Sequence, residues 1–142
     1  MAEPAQIVRE YLEAWNRRDW EAFRGMLHSK YTFRGGDGQV LEGPDAGVAV
    51  GQGWATAFPD GRVEIQNSYS CGDTVAVTEF VARGTNTGPL MGIPPTGKSA
   101  TIYVANICEV ADGKILAERE YLDSLPMLVQ LGVIQDPTKA HA

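Results

Sequence analysis

TIYVANICEVADGKILAEREYLD, residues 101–123, reads as two strands around one tight turn. Asp112-Gly113 is the turn: both residues tolerate positive φ, which a two-residue hairpin needs. In the first arm Ile102, Val104 and Cys108 oppose Tyr103, Ala105 and Ile107, so both faces are apolar. The second arm, 114–123, returns antiparallel. Upstream, 62–70 and 74–83 repeat the pattern around Cys71-Gly72-Asp73. There Val75, Val77 and Val81 oppose Ala76, Phe80 and Ala82. Strands apolar on both faces need cover on both faces.

Helical spacing supplies one cover. Ile7, Val8, Tyr11, Leu12 and Trp15 form a stripe over residues 5–15. Asp19 can cap a short second helix presenting Trp20, Phe23, Met26 and Leu27. Tyr31, Thr32 and Phe33 make a short strand before the turn RGGDG. Residues 44–58 spell a third helix weakened by Gly47, Gly51 and Gly53, and 125–131 spell a last one. The order predicts an α+β fold: a curved antiparallel sheet wrapped over N-terminal helices, with a C-terminal helix. Such a cone leaves a cavity suited to a small apolar ligand. The uncovered face calls for a second copy, as a homodimer or larger assembly packed through the sheet. The 142 residues read as one domain with a frayed tail at 135–142.

The apolar fraction of 44% and charged fraction of 21% are those of a globular domain. A formal charge of −6 argues against nucleic acid or an anionic membrane as partner, since both need clustered Lys and Arg. The amphipathic start lacks a secretory core, and Cys71 and Cys108 read as reduced, packed thiols. Cytoplasmic location is expected on those grounds.

His28 and His141 stand far apart, and no HExxH, CxxC pair, GxGxxG, Walker loop or GxSxG occurs. No metal or cofactor is therefore expected, and any catalysis falls to proton transfer in a pocket. Asp123 is the candidate. It ends a strand and precedes a helix with Pro126 near its start, so spacing alone makes it a helix cap. If the face of Ile115, Ala117, Arg119 and Tyr121 lines the cavity, Asp123 points into it beside Tyr121. An apolar wall would then raise its pKa toward neutrality. The loop RGTNTGPLMGIPPTGK, 83–98, is long and apolar, carrying Leu90, Met91 and Ile93. It reads equally as a lid or an interface arm. Asn86, Tyr103, Trp54 and Met91 are candidate substrate contacts beside Tyr121, although Asn86 also suits a turn and Trp54 a core.

GTNTGPLMGIPPTGK and VADGKILAEREYLDSLPMLVQLGVI resemble the SnoaL-like polyketide cyclase family, also called ester cyclases. EAWNRRDWEAF and AFPDGRVEIQNSYSCGDTVAV are similar to it as well, so the resemblance spans roughly residues 7–134. GIPPTGK and the spacing from Asp123 to Gln130, Leu131 and Gly132 are its most specific parts. The resemblance implies the nuclear transport factor 2-like cone and oligomers through the sheet. It further implies ring closure by intramolecular aldol condensation without metal or cofactor, with the aspartate matching Asp123 as acid/base. The chain departs from the pattern at Asn86, where a histidine is frequent, and at Arg119 and Glu120, where histidine or tryptophan often follows the glutamate matching Glu118. Two alternatives stand beside this reading: a non-catalytic binding or assembly module, and a ketosteroid-isomerase-like enzyme or lyase using Tyr103 or Tyr121 as proton donor.

Overall fold

The structure, a computed structural model, describes residues 2–139. The elements run α1 (Pro4–Arg17), α2 (Trp20–Gly25), β1 (Leu27–Arg34), β2 (Val40–Glu42) and α3 (Pro44–Ala57). Then follow β3 (Arg62–Cys71), β4 (Val75–Thr85), β5 (Ser99–Ala111), β6 (Lys114–Leu122) and α4 (Ser124–Gln130). One sheet in the order β2-β1-β6-β5-β4-β3 carries α1, α2 and α3 on its inner face. The fold is the expected α+β architecture with one difference. The sheet is mixed, because β1 pairs β6 in parallel while every other pair is antiparallel. Sequence reading found the strand core at Tyr31–Phe33, but its partner lies more than eighty residues downstream and leaves no local signal. Among the described residues no helix is long and apolar enough to cross a membrane.

Local chemistry explains the elements. Pro4 opens α1, where its missing N–H costs nothing, and Ile7, Val8, Tyr11 and Leu12 bury the stripe. Asp19 caps α2, accepting the Ala22 N–H at 3.1 Å. In α3 two of the glycines that weaken the helix, Gly47 and Gly51, let it dock. A Cβ at Gly47 would lie 2.6 Å from the Tyr31 ring and 2.7 Å from Leu27, so α3 reaches β1 only without one. Cys108 is buried, but Cys71 is exposed at the end of β3, which corrects the expectation of two packed thiols. The tail turns at Asp136, which accepts from Thr138 and Lys139. Ala140, His141 and Ala142, the rest of the segment expected to fray, lie outside the described residues.

The loop between β4 and β5 is pinned rather than loose. The Asn86 amide donates to the carbonyls of Ala57 (3.1 Å) and Gly88 (2.8 Å). Its oxygen accepts from the N–H (2.9 Å) and hydroxyl (3.0 Å) of Thr96. Leu90 is thereby held in a second core with Ala57, Phe58, Ala100, Met127 and Leu131. Asn86→Ala should lower unfolding free energy on the order of 3 kcal/mol, because it strands buried backbone partners. Urea denaturation of the purified variant measures it; a loss below about 0.5 kcal/mol would show that the loop does not depend on Asn86.

Candidate active site

The inner face of β6 decides what the cone contains. Ile115 is buried opposite Val110, but a bulge follows, and Ala117 pairs with Glu109. The extra residue inverts the alternation. From there Glu118, Glu120 and Leu122 face inward, opposite Cys108, Asn106 and Val104. They line a cavity of about 100 Å³ whose other walls include Trp15, Phe23, Phe33, Trp54 and Phe80.

Glu118 is 3% exposed, and its carboxylate collects three neutral donors. The Tyr11 hydroxyl donates at 2.8 Å and Tyr31 at 2.6 Å, both to Oε1, while the Asn106 amide donates to Oε2 at 2.7 Å. Those donors come from α1, β1 and β5, so the charge ties four elements together. Burial raises the pKa of Glu118, opposed by these hydrogen bonds. Burial also pushes both tyrosines up, reinforced by the adjacent carboxylate, so they stay protonated donors. Glu120 is half-buried in the cavity wall and has no such donors. Burial, then the charge on Glu118, pushes it up to about 8. Near neutrality the pair therefore carries one charge, kept on Glu118, and one proton, kept on Glu120.

The residues singled out from sequence are placed differently. Asp123, Tyr121 and Tyr103 come together, but around an outer recess of about 760 Å³ on the opposite face of the sheet. The expected parity fails at the bulge, which sends Tyr121 outward. The exposed Asp123 carboxylate accepts the Leu125 N–H at 3.0 Å and caps α4. Tyr103 is 73% exposed, and the Tyr121 hydroxyl takes a hydrogen bond from Arg34. Asn86 spends all its amide hydrogen-bonding capacity on the loop, which leaves none for a ligand. Met91 is 76% exposed at the loop tip. Trp54 lines the cavity, 6.3 Å from the Phe58 ring.

Sequence reading missed Glu118, Glu120, Tyr11, Tyr31 and Asn106 as a set. One signal was available: Asn106 interrupts the apolar face of Ile102, Val104 and Cys108, and a polar residue there needs a buried partner. Among the described residues no three His, Cys, Asp or Glu side chains are grouped to hold a metal ion.

Residues 5–131 match the family described as SnoaL-like polyketide cyclase. The aklanonic acid methyl ester cyclase of Streptomyces peucetius is 25% identical over 134 residues, 93% of this chain and 92% of the relative. IdmH from Streptomyces antibioticus superposes with a TM-score of 0.80 at 28% identity, covering 92% of this chain and 99% of its own. TsrD from Streptomyces laurentii gives 0.79 at 26%, with 91% and 94% covered.

The carboxyl pair also sets a pH dependence of stability. Folding raises Glu120 from 4.5 to about 8, so the folded chain holds a proton there that the unfolded chain releases. The stability it contributes is complete below about pH 4.5 and is lost as pH rises toward 8. Urea denaturation at pH 5 and pH 8 should show wild type less stable at the higher pH and Glu120→Gln with a flatter profile. Equal slopes in the two proteins would mean that Glu120 is not perturbed.

Proposed function

The chain belongs to the SnoaL-like polyketide cyclase family, and from that premise we propose a cofactor-independent cyclase or isomerase-type enzyme that uses Glu120 as acid/base on a carbonyl compound in the cone. The observation that carries this reading is the pair of carboxyls, Glu118 and Glu120, facing an otherwise apolar cavity. A base works best when its pKa lies near the working pH, and Glu120 at about 8 meets that condition. The ionised form of Glu120 takes the proton from a carbon flanked by carbonyls. The resulting enolate, stabilised by its own conjugation, attacks a second carbonyl and forms the ring bond. Glu120 returns the proton to the new alkoxide, so product and substrate are isomers. Glu118 moves no proton in this scheme; its charge keeps Glu120 from ionising too early. Ring closure is also what the name of the Streptomyces peucetius relative describes.

A second reading keeps Asp123 as the acid/base, working from the outer recess it shares with Tyr103 and Tyr121. The resemblance over Asp123 to Gly132 favours it. Two conservative variants separate the readings, because Gln and Asn keep shape and cannot carry the proton. Glu120→Gln should lower kcat/KM by at least about 100-fold, while Asp123→Asn, which still caps α4, should stay within about threefold. The opposite pattern would move the chemistry to Asp123.

We also propose a homodimer packed through the outer face. Tyr69, Tyr103 and Tyr121 are exposed there at 53%, 73% and 47%, beside Val77, Ala105 and Ile107. Sedimentation velocity at micromolar concentration should return twice the 15.4 kDa of one chain. A single 15.4 kDa species would refute it.

A further inference from the structure

Glu118 and Glu120 face the same cavity from one strand, yet their surroundings treat them unequally. Glu118 receives the Tyr11 and Tyr31 hydroxyls and the Asn106 amide, and Glu120 receives none of them. The inequality is sharpest at Asn106. In the pairing of β5 with β6 it stands opposite Glu120, but its amide goes to the neighbouring Glu118, at 2.7 Å from Oε2. Its own oxygen is held by the Cys108 thiol, which donates at 3.2 Å. That contact leaves the NH2 end of Asn106 for the carboxylate. Depth points the other way. Burial raises both carboxyls, and Glu118, at 3% exposed, lies deeper than the half-buried Glu120. On burial alone the proton would sit on Glu118.

No facing element brings a charge that would reverse this order. The groups that face the pair are Tyr11 from α1, Tyr31 from β1, and Asn106 and Cys108 from β5, whose thiol burial keeps protonated. From α2 and α3 the cavity receives Phe23, Gly51 and Trp54. Arg83 of β4 is turned to Glu64 of β3 at 3.3 Å, Arg62 of β3 is exposed, and Arg119 of β6 is turned to Glu109 at 2.7 Å. Two adjacent carboxyls in an apolar wall do not both ionise cheaply, so a modest preference decides which one does. Neutral donors supply it, because a hydrogen bond to a carboxylate stabilises the charged form over the neutral one. We propose that Tyr11, Tyr31 and Asn106 are positioning residues that assign the two carboxyls their roles: they fix the charge on Glu118 and leave the exchangeable proton on Glu120. Without them the roles reverse, and the proton sits on Glu118. The inference rests on the reading of Glu120 as the acid/base and says what makes it one.

Tyr31→Phe tests it, because it removes one oxygen and keeps the ring. Carboxyl carbon NMR of protein labelled in its glutamates follows both groups through pH without any substrate, with Glu118→Gln and Glu120→Gln assigning the signals. The Glu120 midpoint, about 8 in the wild type, should fall by about one pH unit or more in Tyr31→Phe, while that of Glu118 rises. In a Glu118→Gln background, Tyr31→Phe should leave Glu120 where Glu118→Gln alone puts it, since no charge is left for the hydroxyl to hold. Tyr11→Phe gives the same readouts if Tyr31→Phe does not fold, because its hydroxyl shares the same carboxylate oxygen. A role in packing alone would lower stability and leave the Glu120 midpoint in place. A change below about 0.3 pH unit, or an equal fall in the Glu118→Gln background, would overturn the inference. Loss of the acid/base reading in the Glu120→Gln assay would leave these midpoints untouched, so the two can fail separately.

Discussion

A buried negative charge organises this protein. Glu118 sits at the centre of the inner face, and moving an isolated carboxylate there from water would cost several kcal/mol. Among the described residues no cation offsets it. Tyr11, Tyr31 and Asn106 do so with three short hydrogen bonds, and each must arrive from a different element. The helix register of α1, the docking of β1 beside β6 and the pairing of β5 with β6 are all fixed by that demand. An error of one residue in any of them would strand the charge. Such a requirement selects one arrangement more sharply than apolar packing does, since apolar side chains of similar size exchange places at small cost.

The same charge links stability to chemistry. With Glu118 ionised, Glu120 keeps its proton into the neutral range, a state that a lone glutamate in water would not reach. The chain thus carries a carboxyl that is unfavourable to fold around at high pH and that holds its proton near neutrality. Sites of this kind recur where function is paid for in stability.

How much of this was legible in the sequence depends on the range of the interaction. The hairpin at Asp112-Gly113, the α1 stripe and the Asp19 cap are local, and spacing alone finds them. Gly47 of α3 was legible only as a weakness, because its purpose lies in Tyr31 and Leu27 on another element. The bulge after Ile115 was invisible: nothing in Leu116-Ala117 announces an extra residue, yet it turns Glu118 and Glu120 inward and Tyr121 outward. A one-residue slip in a strand exchanges its faces, so Tyr121 and Asp123 lie at the outer recess and not in the cone.

The residues that make the family recognisable also hold α4 and the latched loop in place. Asp123 caps α4. The Gln130 side chain clamps β5, its oxygen accepting the Thr101 N–H at 2.7 Å and its amide donating to the Thr101 carbonyl at 2.9 Å. Leu131 is buried at 1%, and Gly132 takes the left-handed turn after the helix at φ 73°. In GIPPTGK, Thr96 binds Asn86 and Gly97 turns at φ 72°. These contacts hold Leu90, Met127 and Leu131 in the second core, from which Met127 reaches the cavity wall. A spacing strict enough to be read from sequence is one imposed by backbone geometry, because caps and turns fix intervals along the chain. Glu118 and its donors are under equal constraint, but across the sheet and through space, where no interval in the sequence records it.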